Sequence, residues 1–165
     1  MTLALPLREK ILALVAERLA TIQSGDTYFT SVSTVHRRLV NPANLGNETA
    51  LVVYSPGDAI VQREGRGTAS GVVSTTMNVD VIAWFHQDEA SDTAANLIAH
   101  DIEKCMGANR QWLATLTDPT SGLAFNSYPV GREVVTQEGG EPYAALTLHF
   151  QIEYRHDYGD PSQQR

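Results

Sequence analysis

One run near the end of the chain limits the fold more than any other. Ala144, Leu146, Leu148, Phe150, Ile152 and Tyr154 alternate with Ala145, Thr147, His149, Gln151, Glu153 and Arg155. A period of two over this length is the signature of a long β-strand with one buried and one wet face. Such a strand needs neighbours to pair with and a layer to cover its apolar side. The best pairing candidate is Val72–His86. Met77, Val79, Val81, Ala83 and Phe85 form one of its faces, and Asn78, Asp80, Ile82, Trp84 and His86 form the other. The second face is mixed rather than polar, so a further surface is expected to cover Ile82 and Trp84.

The covering layer is read from two helical patterns. Leu7, Ile11, Leu14, Val15, Leu19 and Ile22 recur at spacings of three and four between about Leu5 and Gln23, which puts them on one helical face. Pro6 suits the first turn, and Gly25 is the expected stop. Asp88–Met106 repeats the pattern with Ala94, Ala95, Ile98, Ile102, Cys105 and Met106. Ser91 or Asp92 can cap it, Asp88, Glu89 and Asp92 suit the positive end of the helix dipole, and Gly107 stops it.

Shorter strands complete the set. Tyr28–Val40 is rich in Thr, Ser and Val, and Ala50–Ser55 is a short apolar run bounded by Pro56-Gly57. Residues 58–71 hold Gly65, Gly67 and Gly71; Ile60 and Val61 could start a strand, and the rest is expected to be a hairpin tip or a mobile loop or arm. Residues 109–132 are weakly patterned, with breaks at Asp118-Pro119 and Tyr128-Pro129. Val134–Gln137 precedes the last strand across a turn containing Gly139-Gly140, a hairpin signal. The tail, 159–165, is polar and expected to fray. The order is helix, strands, helix, hairpin. It predicts one α+β domain over residues 1–165, with a largely antiparallel or mixed sheet and two main helices on one face.

Composition narrows the function without naming it. The 165 residues carry 12 basic and 19 acidic side chains, a net charge of −7. That sign opposes a non-specific grip on nucleic acid, which needs clustered Lys and Arg. No apolar run is long enough to span a membrane. The lone Cys105 cannot form a disulfide within the chain, and its place on a helical apolar stripe reads as a packed thiol. The five histidines include no HxxxH or HExxH pair, so a metal would need ligands converging from separate elements. No serine sits in a GxSxG elbow and no glycine-rich phosphate loop is present. Arg37 and Arg38, adjacent on a strand, would point to opposite faces and form no single clamp. The reading is a non-enzyme with no catalytic residue, no cofactor and no metal. An unrecognised site among His86, Asp88 and His149 is the alternative.

Three segments carry a resemblance: LPLREKILALVAERLATIQSGDTYFTSVSTVHRR, STTMNVDVIAWFHQDEASDTAANLIAHDIEKCM and AALTLHFQIEYRHDYGDP. Their order and character resemble the tail terminator, or tail-completion, proteins of long-tailed bacteriophages and prophages. The resemblance runs from about Leu5 to Pro161. It implies a structural virion protein that caps the head-proximal end of the tail, after assembly in the host cytoplasm. Its partners would be further copies of itself in a ring, usually a hexamer, the tail tube protein and the head-tail connector protein. DNA would pass through the lumen unbound, and no membrane is involved. Another neck or head-closure protein is the alternative within the same class. A head-to-tail ring needs two unlike surfaces on each subunit. The candidate subunit interface is Ile82 and Trp84 on the mixed face, helped by Arg63 and Arg66 in the 58–71 loop.

Overall fold

The structure is a computed structural model that describes residues 5–44, 48–64, 71–86, 91–112, 122–136, 143–157 and 160–162. Its elements run in chain order as α1 (Leu7–Leu19), β1 (Thr34–His36), a 3-10 turn (Pro42–Asn44), β2 (Ala50–Glu64), β3 (Val72–His86), α2 (Ser91–Ala108), β4 (Asn126–Thr136) and β5 (Tyr143–Asp157). The strands form one sheet in the order β1-β2-β3-β5-β4. Only β1–β2 is parallel; the other pairings are antiparallel. The fold is α+β, and the sheet is mixed.

The alternating patterns of β3 and β5 meet in register. The two strands pair without interruption from Val72 opposite Asp157 to His86 opposite Tyr143. This sets Met77 beside Ile152, Val79 beside Phe150, Val81 beside Leu148 and Ala83 beside Leu146 on one face. All eight are buried. Leu7, Ile11, Val15 and Leu19 of α1 and Ile98, Ile102, Cys105 and Met106 of α2 close over them in a single cluster. Both helices therefore cover the same face.

Local chemistry decides where several elements begin and end. Helix α1 stops at Leu19, short of Gly25, because the Thr21 hydroxyl donates to the Arg18 carbonyl at 2.7 Å. Helix α2 passes through Gly107 and ends where the Asn109 side chain donates to the Cys105 carbonyl at 2.8 Å. The expected strand over Tyr28–Val40 shrinks to Thr34–His36. The backbone amides of Phe29 and Thr30 donate to the Asp101 carboxylate, at 2.9 and 2.7 Å, instead of to a strand.

Two corrections concern the sheet edges. Strand β2 does not end before Pro56-Gly57. A bulge between Tyr54 and Gly57 absorbs the proline, and pairing with β3 resumes through Glu64. Residues 58–64, expected to be loop apart from a strand start at Ile60 and Val61, are thus strand; residues 65–70 lie outside the described set. Strand β4 starts at Asn126, well before Val134, and carries Pro129 at a second bulge. Both prolines stand in outer strands, where a missing N–H costs no bond to the inner neighbour. Residues 160–162 of the tail expected to fray are described. The amide of Leu7, left open at the start of α1, donates to the Pro161 carbonyl at 2.9 Å, and Lys10 Nζ donates to the Ser162 carbonyl at 3.1 Å.

Truncating Leu148 or Ile102 to Ala should cost about 2–5 kcal/mol, since each lies at the centre of the sheet–helix layer. Denaturant unfolding measures this, and a loss under ~1 kcal/mol at both positions would contradict the packing.

Candidate functional site

The sheet face away from the helices holds the unusual chemistry. Its strands present side chains in cross-strand rows fixed by the register. Tyr54, Asp80, His149 and Gly131 form one row, and Asn78, Gln151 and Tyr128 form the next. The His149 imidazole donates from Nδ1 to Asp80 Oδ1 at 2.7 Å. Gln151 Nε2 donates to Asn78 Oδ1 at 3.1 Å, and the Tyr128 hydroxyl donates to Gln151 Oε1 at 3.0 Å. One row further, the same hydroxyl lies 3.3 Å from Glu153 Oε1, and Arg155 Nε donates to Ser74 Oγ at 3.2 Å. Burial, then a hydrogen bond to Asp80 and its negative charge, push the Tyr54 phenol above its ordinary pKa. Burial and Glu153 do the same to Tyr128. Both phenols stay protonated at neutral pH and serve as donors.

The polar rows give way to an apolar patch at one end of the same face. Trp84 lies between Ala50 and Ala145, and Ile82 lies between Val52 and Thr147. Ala50, Val52 and Ala145 are buried, yet none belongs to the helix-side core. Ile82 and Trp84 are half-buried. Parity along β3 thus places both expected interface residues on the face away from the helices. Residues 109–132 could have packed beneath that face. Of those described, Trp112 and Leu123 join the helix-side core, while Tyr128 lies in the polar rows of the open face. Arg63 stands in β2 opposite Val73, and Arg66 lies outside the described residues.

The suspected histidine site does not assemble. His86 pairs with Tyr143, six residues along β5 from His149, a separation of about 20 Å at ~3.3 Å per residue. Asp88 lies outside the described residues. Among the described residues, no Ser, Thr or Cys side chain hydrogen-bonds His149, and no three His, Cys, Asp or Glu side chains are grouped to hold a metal. No helix among them is long and apolar enough to cross a membrane. Cys105 is buried, its thiol 3.4 Å from the Arg18 carbonyl, and burial raises its pKa. Arg37 forms an ion pair with Glu9 at 3.1 Å.

Two charged groups on the helix side do structural work that the sequence left hidden. Asp101 is fully buried, and its Oδ2 accepts from the amides of Phe29 and Thr30 and from the Thr30 hydroxyl. It fixes the loop that follows α1 and leaves Phe29 exposed beside His100. Asp58 lies just past the β2 bulge. Arg8 Nε donates to its Oδ2 at 3.0 Å, and the Ser55 hydroxyl donates to its Oδ1 at 3.3 Å. Tyr154 reaches the same carboxylate, and burial, then the Asp58 charge, push its phenol up to about 12. Only the pairing of distant elements brings these partners together.

No protein-family model and no curated protein matches the chain. Among solved structures it is similar to the sheath/tube terminator of an extracellular contractile injection system (PVC) in its extended state, at TM-score 0.44 and 11% identity. The likeness covers 92% of this chain and 58% of that one, so this chain spans less than two thirds of its neighbour's length.

Asp101→Ala should lower stability by about 1.5–3 kcal/mol in urea unfolding, because it strands three donors that now bond a charge. Tyr154 gives a pH-dependent counterpart. Its folded pKa stands above the unfolded value of 10.0, so the fold holds its proton more tightly. The stability this contributes is complete below pH 10 and is lost as pH rises towards about 12. Tyr154→Phe should flatten that part of the stability profile relative to wild type.

Proposed function

We propose that the chain is a structural subunit of the tail-terminator kind. Copies assemble into a closed ring, of six subunits, that caps the head-proximal end of a tail tube, stops its polymerisation and offers a surface to the head-tail connector. The observation that carries the reading is the one-sided covering of the sheet among the described residues. Helices close one face, while the other ends in a half-buried Ile82 and Trp84 continuous with Ala50, Val52 and Ala145. An apolar patch rimmed by polar rows is a surface suited to another protein. The sequence resemblance from Leu5 to Pro161 selects the class of partner. Among the described residues, no Ser, Thr or Cys side chain bonds the His149–Asp80 pair, and the reading takes these rows as structural.

The charge balance fits a conduit for DNA. Six subunits at −7 each place roughly 40 negative charges in one ring, which repels phosphates passing through it. The same repulsion opposes closure, so the ring should strengthen in moderate salt, where the screening length is about 10 Å at 0.1 M.

Analytical ultracentrifugation and negative-stain microscopy test the reading. A concentration-dependent ring is expected, stronger at moderate salt. Trp84→Asp should abolish its capping of tail tubes assembled in vitro while leaving circular dichroism and unfolding cooperativity unchanged. Tubes of normal length in the presence of the wild-type protein would refute the proposal.

A further inference from the structure

Among the described residues, the sheet ends in two uncovered edges. Strand β1 covers only Ala50, Leu51 and Val52 of β2, leaving β2 open from Val53 to Glu64. On the far side, β4 is outermost along Asn126–Thr136, a run of 11 residues. Open edges present unpaired backbone N–H and C=O groups. Three exposed large apolar side chains lie on these two strands: Ile60 on β2 (57%), and Val130 (52%) and Val134 (48%) on β4. Ile60 stands beside Thr75, which stands beside Tyr154, and Val134 stands beside Leu146. Ile60 and Val134 therefore share the helix side of the sheet, although they stand at its opposite margins.

We infer that these edges are complementary, and that β4 of one copy adds to β2 of the next to make a sheet continuous across subunits. This rests on the ring reading and supplies its contact. Strand sense permits the join. β2 runs antiparallel to β3, β3 to β5, and β5 to β4, so β4 runs opposite to β2. The Ile60 row meets β3 at Thr75 and the Val134 row meets it at Ala83, about 26 Å apart at ~3.3 Å per residue. The β4 edge therefore meets its neighbour's β2 edge as an antiparallel pair in a ring whose strands are inclined to the axis. The two surfaces are unlike and lie at opposite margins, as a head-to-tail contact requires. Joining them brings Ile60 and Val134 onto the same side of the junction, where each covers apolar area that the other leaves wet.

The bulges define the join. Arg8 donates to the Ser55 carbonyl within the first bulge of β2, which confines the joining run to Gly57–Glu64, itself interrupted by a second register shift between Ile60 and Gln62. On β4, the bulge at Pro129/Gly131 and the missing N–H of Pro129 favour Gly131–Thr136. These runs have the length of an ordinary strand. Bulges also increase local twist, as a sheet curving around an axis needs. They leave few workable registers, which guards the edges against indiscriminate stacking.

Residue-resolved hydrogen exchange on the intact protein tests this, comparing dilute monomer with concentrated assembly. Outward-facing amides of 57–64 and 131–136 should slow by roughly tenfold or more on assembly. Ile60→Lys and Val134→Lys stand at exposed positions, so each should keep the monomer fold and raise the concentration for half-assembly by roughly tenfold. If a ring forms and both edges exchange as in the monomer, the join is wrong and the ring reading survives. If both edges become protected in open fibres rather than closed rings, the join stands and the ring reading falls. A chain that stays monomeric at every concentration and salt overturns both.

Discussion

The uninterrupted pairing of β3 with β5 is the constraint from which the rest follows. Fifteen residues of each strand meet with their apolar positions on the same side. A slip of one residue would turn an entire apolar set outward, so burial by α1 and α2 locks the register. The register in turn sets every row on the opposite face. Asp80 meets His149 and Asn78 meets Gln151 because Val79 meets Phe150 and Val81 meets Leu148 on the other side. The polar face is a consequence of the hydrophobic one.

That linkage gives the open face its character. Its side chains are ordered by hydrogen bonds from strand to strand, so the surface is stiff before any partner arrives. A pre-ordered surface loses less side-chain freedom on association than a loose one. The apolar patch around Trp84 sits at one end of this surface, beside the stretch of β2 that β1 covers, and the open run of β2 lies towards the other end.

Periodicity made the central layer legible. The faces of β5, the mixed character of the Ile82–Trp84 face, and the stripes of both helices all follow from spacing alone. The margins were not legible, for two physical reasons. Pro56-Gly57 and Tyr128-Pro129 read as breakers, and in an inner strand they would be; in an outer strand a bulge absorbs them, and outer position is a property of topology. The stretch before Thr34 read as strand because its composition favours one. Asp101, some seventy residues later, takes its amides instead. The Asp80–His149 bond was hidden in the same way, since it needs the register and not just the pattern. The two residues singled out from parity, Ile82 and Trp84, lie on the open face because parity needs no knowledge of neighbours.

The bond from the Leu7 amide to the Pro161 carbonyl has a bearing on biosynthesis. Helix α1 is sealed at its start by a residue made more than 150 positions later. Strand β5 enters between β3 and β4 although it follows both in the chain, so the β2–β3 hairpin waits with one side of β3 open until β5 is made. Contacts of such long sequence separation slow folding. Here they also make it a test of completeness: a chain cut short before β5 loses the central pairing and the closure of α1 at once. Truncated products would fail as subunits before they could enter, and spoil, a larger assembly.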